Sequence, residues 1–346
     1  MMNKKYLFYI TKNYSFEILR PLQEAILSEG DDCFWYAHGN SVNKEYFNDD
    51  EKILKTIDSV IEYEPDAVFV PGNVVPHFIP GLKVQIFHGL EHKKKGHFII
   101  RGFFDLYCTH GPITTEKFNE LADKYKSFEV IETGWPKLDP LFHTEKLTSL
   151  FENQLPCVLY APTFSISLTS SVDLLIEIEN RVKLNKENWL FKFHPKMSSD
   201  LLMPYKDMEK KYRNVVLINF ESISPSLQTA DILLSDTSSV IGEFLLLNKP
   251  VITYRNIKPG AELINFDVPE KLGEMISLAL NPSTELQRSM VEAVKQLHPY
   301  VDGVSSFRIL KAVKEMLLKE NAGIKRKPWN IFRKFQQRKG HNFWKF

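Results

Sequence analysis

Short apolar runs alternate along the first half of the chain with segments whose apolar positions recur every three or four residues. That rhythm predicts buried strands alternating with amphipathic helices. Strands are expected at 6–10, 33–36, 67–70, 84–87, 104–108 and 128–131. Helices are expected at 16–28 (Ile18, Leu22 and Ile26 on one face), 51–61 and 114–125. Gly134-Trp135-Pro136-Lys137-Leu138-Asp139-Pro140 interrupts the alternation, and 141–154 reads as a helix and linker. A second series then predicts strands at 157–160, 189–193, 215–218, 231–234 and 251–254. Helices are expected at 172–182, around 201–212, after Ser224-Pro225, and finally at 307–318 with Ile309, Leu310, Val313 and Leu317 inward. The fold expected is α/β: two facing Rossmann-like domains with parallel sheets, 1–147 and 148–320, followed by a basic tail, 321–346. The first strand–helix turn carries no glycine-rich fingerprint.

Composition changes this picture in two places. A length of 346 residues exceeds what one core usually holds, which supports two domains. The net charge of +1 conceals an asymmetry: residues 321–346 hold eight basic side chains and no acidic one, so the remainder is acidic. Nucleic-acid binding by the body is therefore not expected. Aromatics lie among the tail's cations (Trp329, Phe332, Phe335, Phe343, Trp344), a mixture suited to an anionic membrane surface. Cys33, Cys108 and Cys157 each sit in an apolar run and are expected to be reduced core thiols. No signal peptide or membrane span is expected, which places the chain in the cytoplasm, peripheral on the inner face of the membrane.

Four turns put reactive side chains directly after expected strands, where ligands of parallel sheets bind. In 230–255, ADILLSDTSSVIGEFLLLNKPVITYR, a strand ends in Asp236-Thr237-Ser238-Ser239 before a helix. The two serines are expected to cap that helix and form a phosphate site with its free N–H groups. Thr163, after 157–160, offers another hydroxyl. His194 precedes Pro195, which holds it extended, and Lys192 and Lys196 flank it with charge. His88 ends a strand, and Gly89 is expected to let the chain turn beside a bound group.

These pieces resemble, in order, the CDP-glycerol glycerophosphotransferase family of teichoic-acid and capsule synthesis. The matching segments are FHG at 87–89, GWPKLD at 134–139, YAPT at 160–163, FKFHPK at 191–196, DILLSDTSSV at 231–240, NKPVITY at 248–254 and DGVSSFR at 302–308. The resemblance implies a GT-B fold and transfer of glycerol phosphate from CDP-glycerol to a hydroxyl of a polysaccharide or lipid-linked acceptor, with release of CMP. It implies His88 as the base and His194 as the holder of the donor diphosphate. Thr163, Lys192, Asp236, Thr237, Ser238 and Ser239 are implied around the donor. Gly89 and the lysine run beginning Lys93-Lys94 are expected to meet the acceptor. No cofactor is called for and no metal ligands are assigned, since no DxD-like motif lies near these turns, and metal dependence stays open. CDP-ribitol and a CMP-activated acidic sugar remain open as donors. A UDP-sugar epimerase lacks its acid residues here, and a non-catalytic scaffold would not need both histidines.

Overall fold

Most of the apolar runs become strands buried along nearly their whole length in the computed structural model, which describes residues 3–90, 95–147, 150–219, 222–319 and 325–345. The chain forms two units, Met1–Asp139 with Leu297–Phe346, and Pro140–Gln296. In the first, β1 (Lys5–Ile10), α1 (Ser15–Ser28), β2 (Asp32–Ala37), α2 (Ile57–Tyr63), β3 (Ala67–Val70), β4 (Leu82–Gln85), β5 (Leu106–Thr109), α3 (Pro112–Tyr125) and β6 (Glu129–Glu132) follow one another. The short α4 (Asp139–His143) leads to the second unit. That unit holds β7 (Cys157–Tyr160), α5 (Leu175–Leu184), β8 (Asn188–Phe191), α6 (Ser199–Lys211), β9 (Val215–Leu217), α7 (Ser224–Thr229), β10 (Ile232–Ser235), α8 (Val240–Leu245), β11 (Val251–Tyr254), β12 (Ile264–Phe266), α9 (Leu272–Leu280) and α10 (Thr284–Leu297). The chain then returns to the first unit with α11 (Ser305–Leu318) and α12 (Ile331–His341).

Each unit is built on a six-stranded parallel sheet, as the alternation predicts. The first has the order β2-β1-β3-β4-β5-β6 and the second β12-β11-β10-β7-β8-β9. Chain order therefore reverses between β1 and β3 in one sheet and between β7 and β10 in the other. At such a reversal the connections leave in opposite directions and open a crevice at the strands' carboxyl ends. The second core packs Tyr160, Trp189, Phe191 and Tyr205 against Leu272 and Ile276 of α9. The three cysteines are buried free thiols, and burial pushes the Cys157 thiol up to about 12.

Beyond shifts of a few residues at element ends, four features differ from the sequence expectations. Residues 52–54 are not helical; along the β2 edge the Trp35 amide donates to the Lys52 carbonyl and the Leu54 amide to the Trp35 carbonyl, and Thr56 then opens α2 with a reciprocal cap to Ser59. Of the helix and linker expected over 141–154, the helix ends at His143, where Thr144 turns its hydroxyl onto the Pro140 carbonyl. A further strand, β12, follows β11. The first unit ends at Asp139, not 147, and reclaims the chain from Leu297. Its returning helix α11 is tied to the end of α1 by Lys314, which pairs with Glu29 at 2.5 Å and Asp31 at 2.7 Å.

Residues 325–345 are likewise bound to the first unit and are not a free tail. Asn330 donates to the Arg101 carbonyl at 2.8 Å, Gln337 to that of Val75 at 2.7 Å, and Phe343 is buried on Phe78. Lys327 and Lys345 pair with Asp105 and Asp58. No described helix is long and apolar enough to cross a membrane.

Candidate functional site

In the first unit His88 sits two residues past Ile86, where the chain leaves β4. The turn there is made by Phe87, whose φ of +59° lies in the left-handed region, and not by Gly89. A bulky residue held so is a sign of functional constraint, since it persists only where surroundings impose it. Phe87 is pinned by Tyr107, His110 and Phe118. His110 is wholly buried, which pushes it down to about 3 and keeps it neutral. A Cβ at Gly89 would meet no described atom within 4 Å.

The His88 ring stacks on Tyr14 at 5.3 Å and meets His97 edge-on at 4.8 Å. Its Nδ1 lies 3.1 Å from the Pro71 carbonyl oxygen. A carbonyl only accepts, so Nδ1 carries the proton and Nε2 keeps its lone pair. That tautomer is the one a general base requires.

Two of the matching segments meet each other within this unit. The Asp139 carboxylate accepts from the amides of Ser305 and Ser306 at 2.8 and 2.7 Å, capping α11. His298 accepts from the Trp135 amide at 2.9 Å, and burial pushes its imidazole down to about 4. Gly134 has φ +81°, and a Cβ there would come 2.4 Å from Ser305 Oγ. GWPKLD and DGVSSFR thus form one structural clasp.

In the second unit the switch point between β7 and β10 carries the hydroxyl turns. The Ala161 amide donates to Leu234 at 3.0 Å, continuing the ladder past β7. Asp236 is fully buried, and its carboxylate accepts from the amides of Thr163, Ser170 and Thr237 and from the Ser170 hydroxyl, at 2.7 to 3.2 Å. Burial raises its pKa while those donors pull it back. With its acceptor capacity used internally, Asp236 is a staple holding 161–170 over the β10 turn, and not the donor contact expected. Asn256 completes the staple by donating to the Asp236 carbonyl at 2.6 Å. Thr237 is similarly engaged, its Oγ1 accepting from Ile257 at 3.3 Å.

Ser239 occupies the N-cap of α8, yet its side chain makes no cap bond; Ser238 Oγ receives the Val240 amide at 3.4 Å instead. The helix is only six residues long, so its dipole contributes less than the sequence suggests. The hydroxyls of Thr163 and Ser239 form no hydrogen bond among the described residues, leaving them available to a ligand. His194, past β8, lies tilted against Phe164 with ring centres 4.3 Å apart. Its Nδ1 accepts from the Lys196 amide at 3.0 Å, so Nε2 carries the proton. Burial, then Lys196, lowers its pKa, keeping a neutral N–H donor near pH 7. Lys192 is half-buried at the end of β8, its amide on the Tyr160 carbonyl at 3.0 Å.

The second unit therefore brings Thr163, Asp236, Thr237, Ser238 and Ser239 together at the β7–β10 switch point, with His194 reached through its ring contact with Phe164. His88 and Gly89 belong to the first unit. Lys93 and Lys94 lie outside the described residues. Sequence reasoning missed Phe164, Ser170 and Asn256; an exposed aromatic directly after a hydroxyl turn was the available signal for Phe164. No described group of His, Cys, Asp and Glu could hold a metal ion.

Residues 103–258 match the family described as CDP-Glycerol:Poly(glycerophosphate) glycerophosphotransferase. His88 precedes that stretch. The chain is 30% identical over 167 residues to a teichoic acid glycerol-phosphate primase of Bacillus subtilis, covering 45% of this chain and 42% of the primase. It is 31% identical over 139 residues to a teichoic acid poly(ribitol-phosphate) polymerase of Bacillus spizizenii, covering 36% of this chain and 22% of that protein. The match thus spans less than half the length of these relatives. Among solved structures, the wall teichoic acid polymerase TagF superposes with a TM-score of 0.63 at 16% identity, over 91% of this chain and 90% of that one. A UDP-N-acetylglucosamine 2-epimerase superposes with 0.62 at 15%, over 92% and 98%. Both share the GT-B type of fold, and at such identity the likeness shows the fold alone.

Proposed function

We propose, from the premise that residues 103–258 of this chain belong to the CDP-glycerol glycerophosphotransferase family, that the protein transfers a polyol phosphate from a CDP-polyol to an acceptor hydroxyl. His88 Nε2 takes the proton of that hydroxyl. The oxygen attacks the phosphorus bearing the polyol, the P–O–P bond breaks, and the electron pair leaves on the phosphate of CMP. The His194 Nε2–H and the hydroxyls of Thr163, Ser238 and Ser239 hold the diphosphate and spread its developing charge. Phosphoryl transfer asks mainly for such positioning and charge neutralisation.

The observation that carries this reading is a pair of histidines in opposite tautomers. Pro71 makes His88 an acceptor at Nε2, and Lys196 makes His194 a donor at Nε2. One suits a base and the other an anion holder. CDP-glycerol is the donor proposed, on the description of the matched family. CDP-ribitol is the second reading, favoured by the ribitol-phosphate relative.

The acceptor proposed is a cell-surface polymer or its lipid-linked primer, met at the inner membrane face. Support comes from α12 and its approach, which leave Trp329 82% and Phe332 72% exposed beside Arg333 and Lys339. The test is release of CMP from CDP-glycerol, CDP-ribitol and a CMP-sugar, with a glycerol-phosphate primer, in the presence and absence of anionic vesicles. Release from the CMP-sugar alone would overturn the polyol-phosphate reading.

A further inference from the structure

The first sheet has its own switch point, between β1 and β3, and the sequence reading assigned nothing to it. A cavity of about 350 Å³ opens there, at the carboxyl ends of β1, β2 and β3. Tyr9 of β1, His38 after β2 and Pro76 after β3 form its floor, and α12 forms its other wall with Arg333, Gln337 and His341. His341 stacks on His38 with ring centres 3.6 Å apart, and its ring nitrogens lie 3.3 and 3.4 Å from the hydroxyls of Tyr9 and Tyr36. The helix is thereby keyed into the crevice while leaving it open.

The lining is one-sided in charge. Arg101 and Arg333 both line the cavity, and no carboxylate among the described residues does. Among the described residues each guanidinium hydrogen-bonds a backbone carbonyl and no carboxylate: Arg101 that of Ile99 at 3.1 Å, Arg333 that of Arg101 at 3.3 Å. Two cations without an acidic partner among the described residues, in a recess fringed by imidazole and phenol groups, match a phosphate oxygen cluster. The volume leaves room for a small polyol beside it. Positively charged crevices also raise the local concentration of anions.

We propose that this pocket binds the phosphate ester of a small polyol, the repeat unit nearest the reacting end of the acceptor. Its place on the carboxyl edge of the same sheet, neighbouring the β4 end that carries His88, suits that role. The anion site stands on its own, and only its assignment to the acceptor rests on the transferase reading.

The test is calorimetric titration of the full chain with sn-glycerol 3-phosphate at low salt, without nucleotide. Arg101→Gln and Arg333→Gln are each expected to weaken binding at least fivefold, and Arg333→Lys to retain part of it. Ser238→Ala, at the donor turn, is expected to leave it unchanged. In turnover the arginine variants should raise acceptor KM while kcat and donor KM hold. Binding that follows Ser238 and ignores both arginines would overturn the proposal, as would no binding by wild type. Loss of phosphatidylglycerol-vesicle binding with glycerol-phosphate affinity intact would make the pocket a lipid-headgroup site and end the acceptor assignment. Intact, arginine-dependent binding with no transfer from any CDP-polyol would remove the transferase reading and leave the anion pocket standing.

Discussion

The amide of Lys196 donates to Nδ1 of His194 at 3.0 Å, and that one bond decides what the imidazole can offer. With Nδ1 occupied, the ring presents an N–H at Nε2. His194→Ala is expected to weaken CDP-polyol binding about tenfold, roughly 1.4 kcal/mol. His194→Gln, whose amide also donates, should recover part of it. Calorimetry with CDP-glycerol checks both.

His88 is held in the opposite tautomer by Pro71. His88→Ala is expected to lower turnover by about 10²–10⁴ while donor affinity stays within twofold, because the group acts on the acceptor hydroxyl. CMP release and nucleotide calorimetry on the same variant separate the two effects. A variant that loses both together would move His88 into donor binding.

Asp236 is expected to behave as a structural residue. Asp236→Ala leaves the amides of Thr163, Ser170 and Thr237 without their acceptor in a buried setting, and stability should fall by about 2–4 kcal/mol. Ser238→Ala should leave the melting curve in place and weaken only donor binding. Urea denaturation distinguishes them.

Acid should destabilise the first unit through histidines that are buried neutral. His298 and His341 are pushed down by burial to about 4 and His110 to about 3, against 6.5 for an ordinary histidine. Lowered folded values mean the unfolded chain binds more protons between pH 6.5 and 4. Stability is therefore complete above about pH 6.5 and falls as pH drops through that window. His298 alone contributes on the order of 3 kcal/mol to the loss by pH 4. Denaturant midpoints measured from pH 7 to 4 should show the slope, reduced in His298→Gln.

Gly134→Ala tests the clasp. A Cβ would fall 2.4 Å from Ser305 Oγ on a backbone at φ +81°. Loss of about 2 kcal/mol is expected, with Asp139 and α11 losing their fit.

The chain's own pattern determined the elements and the position of most reactive turns. Strands of a parallel sheet are buried on both faces, so runs such as those ending at Tyr160 and Ser235 are continuous and stop visibly at polar turns. His88, Thr163, His194 and Ser238 could be read for that reason. What no local pattern carries is strand order. Pairing β7 with β10 brings Thr163 onto Asp236 across 73 residues of sequence, and it turned an expected ligand contact into a buried staple. The same holds for the return of 297–345 to the first unit, for the β2-edge pairing at 52–54, and for the left-handed turn at Phe87. Tautomers were likewise hidden, because Pro71 reaches His88 only through the β3–β4 pairing. Periodicity records which face of an element is dry; only the folded chain decides which partners meet there, since long-range pairing is fixed by the packing of the whole sheet.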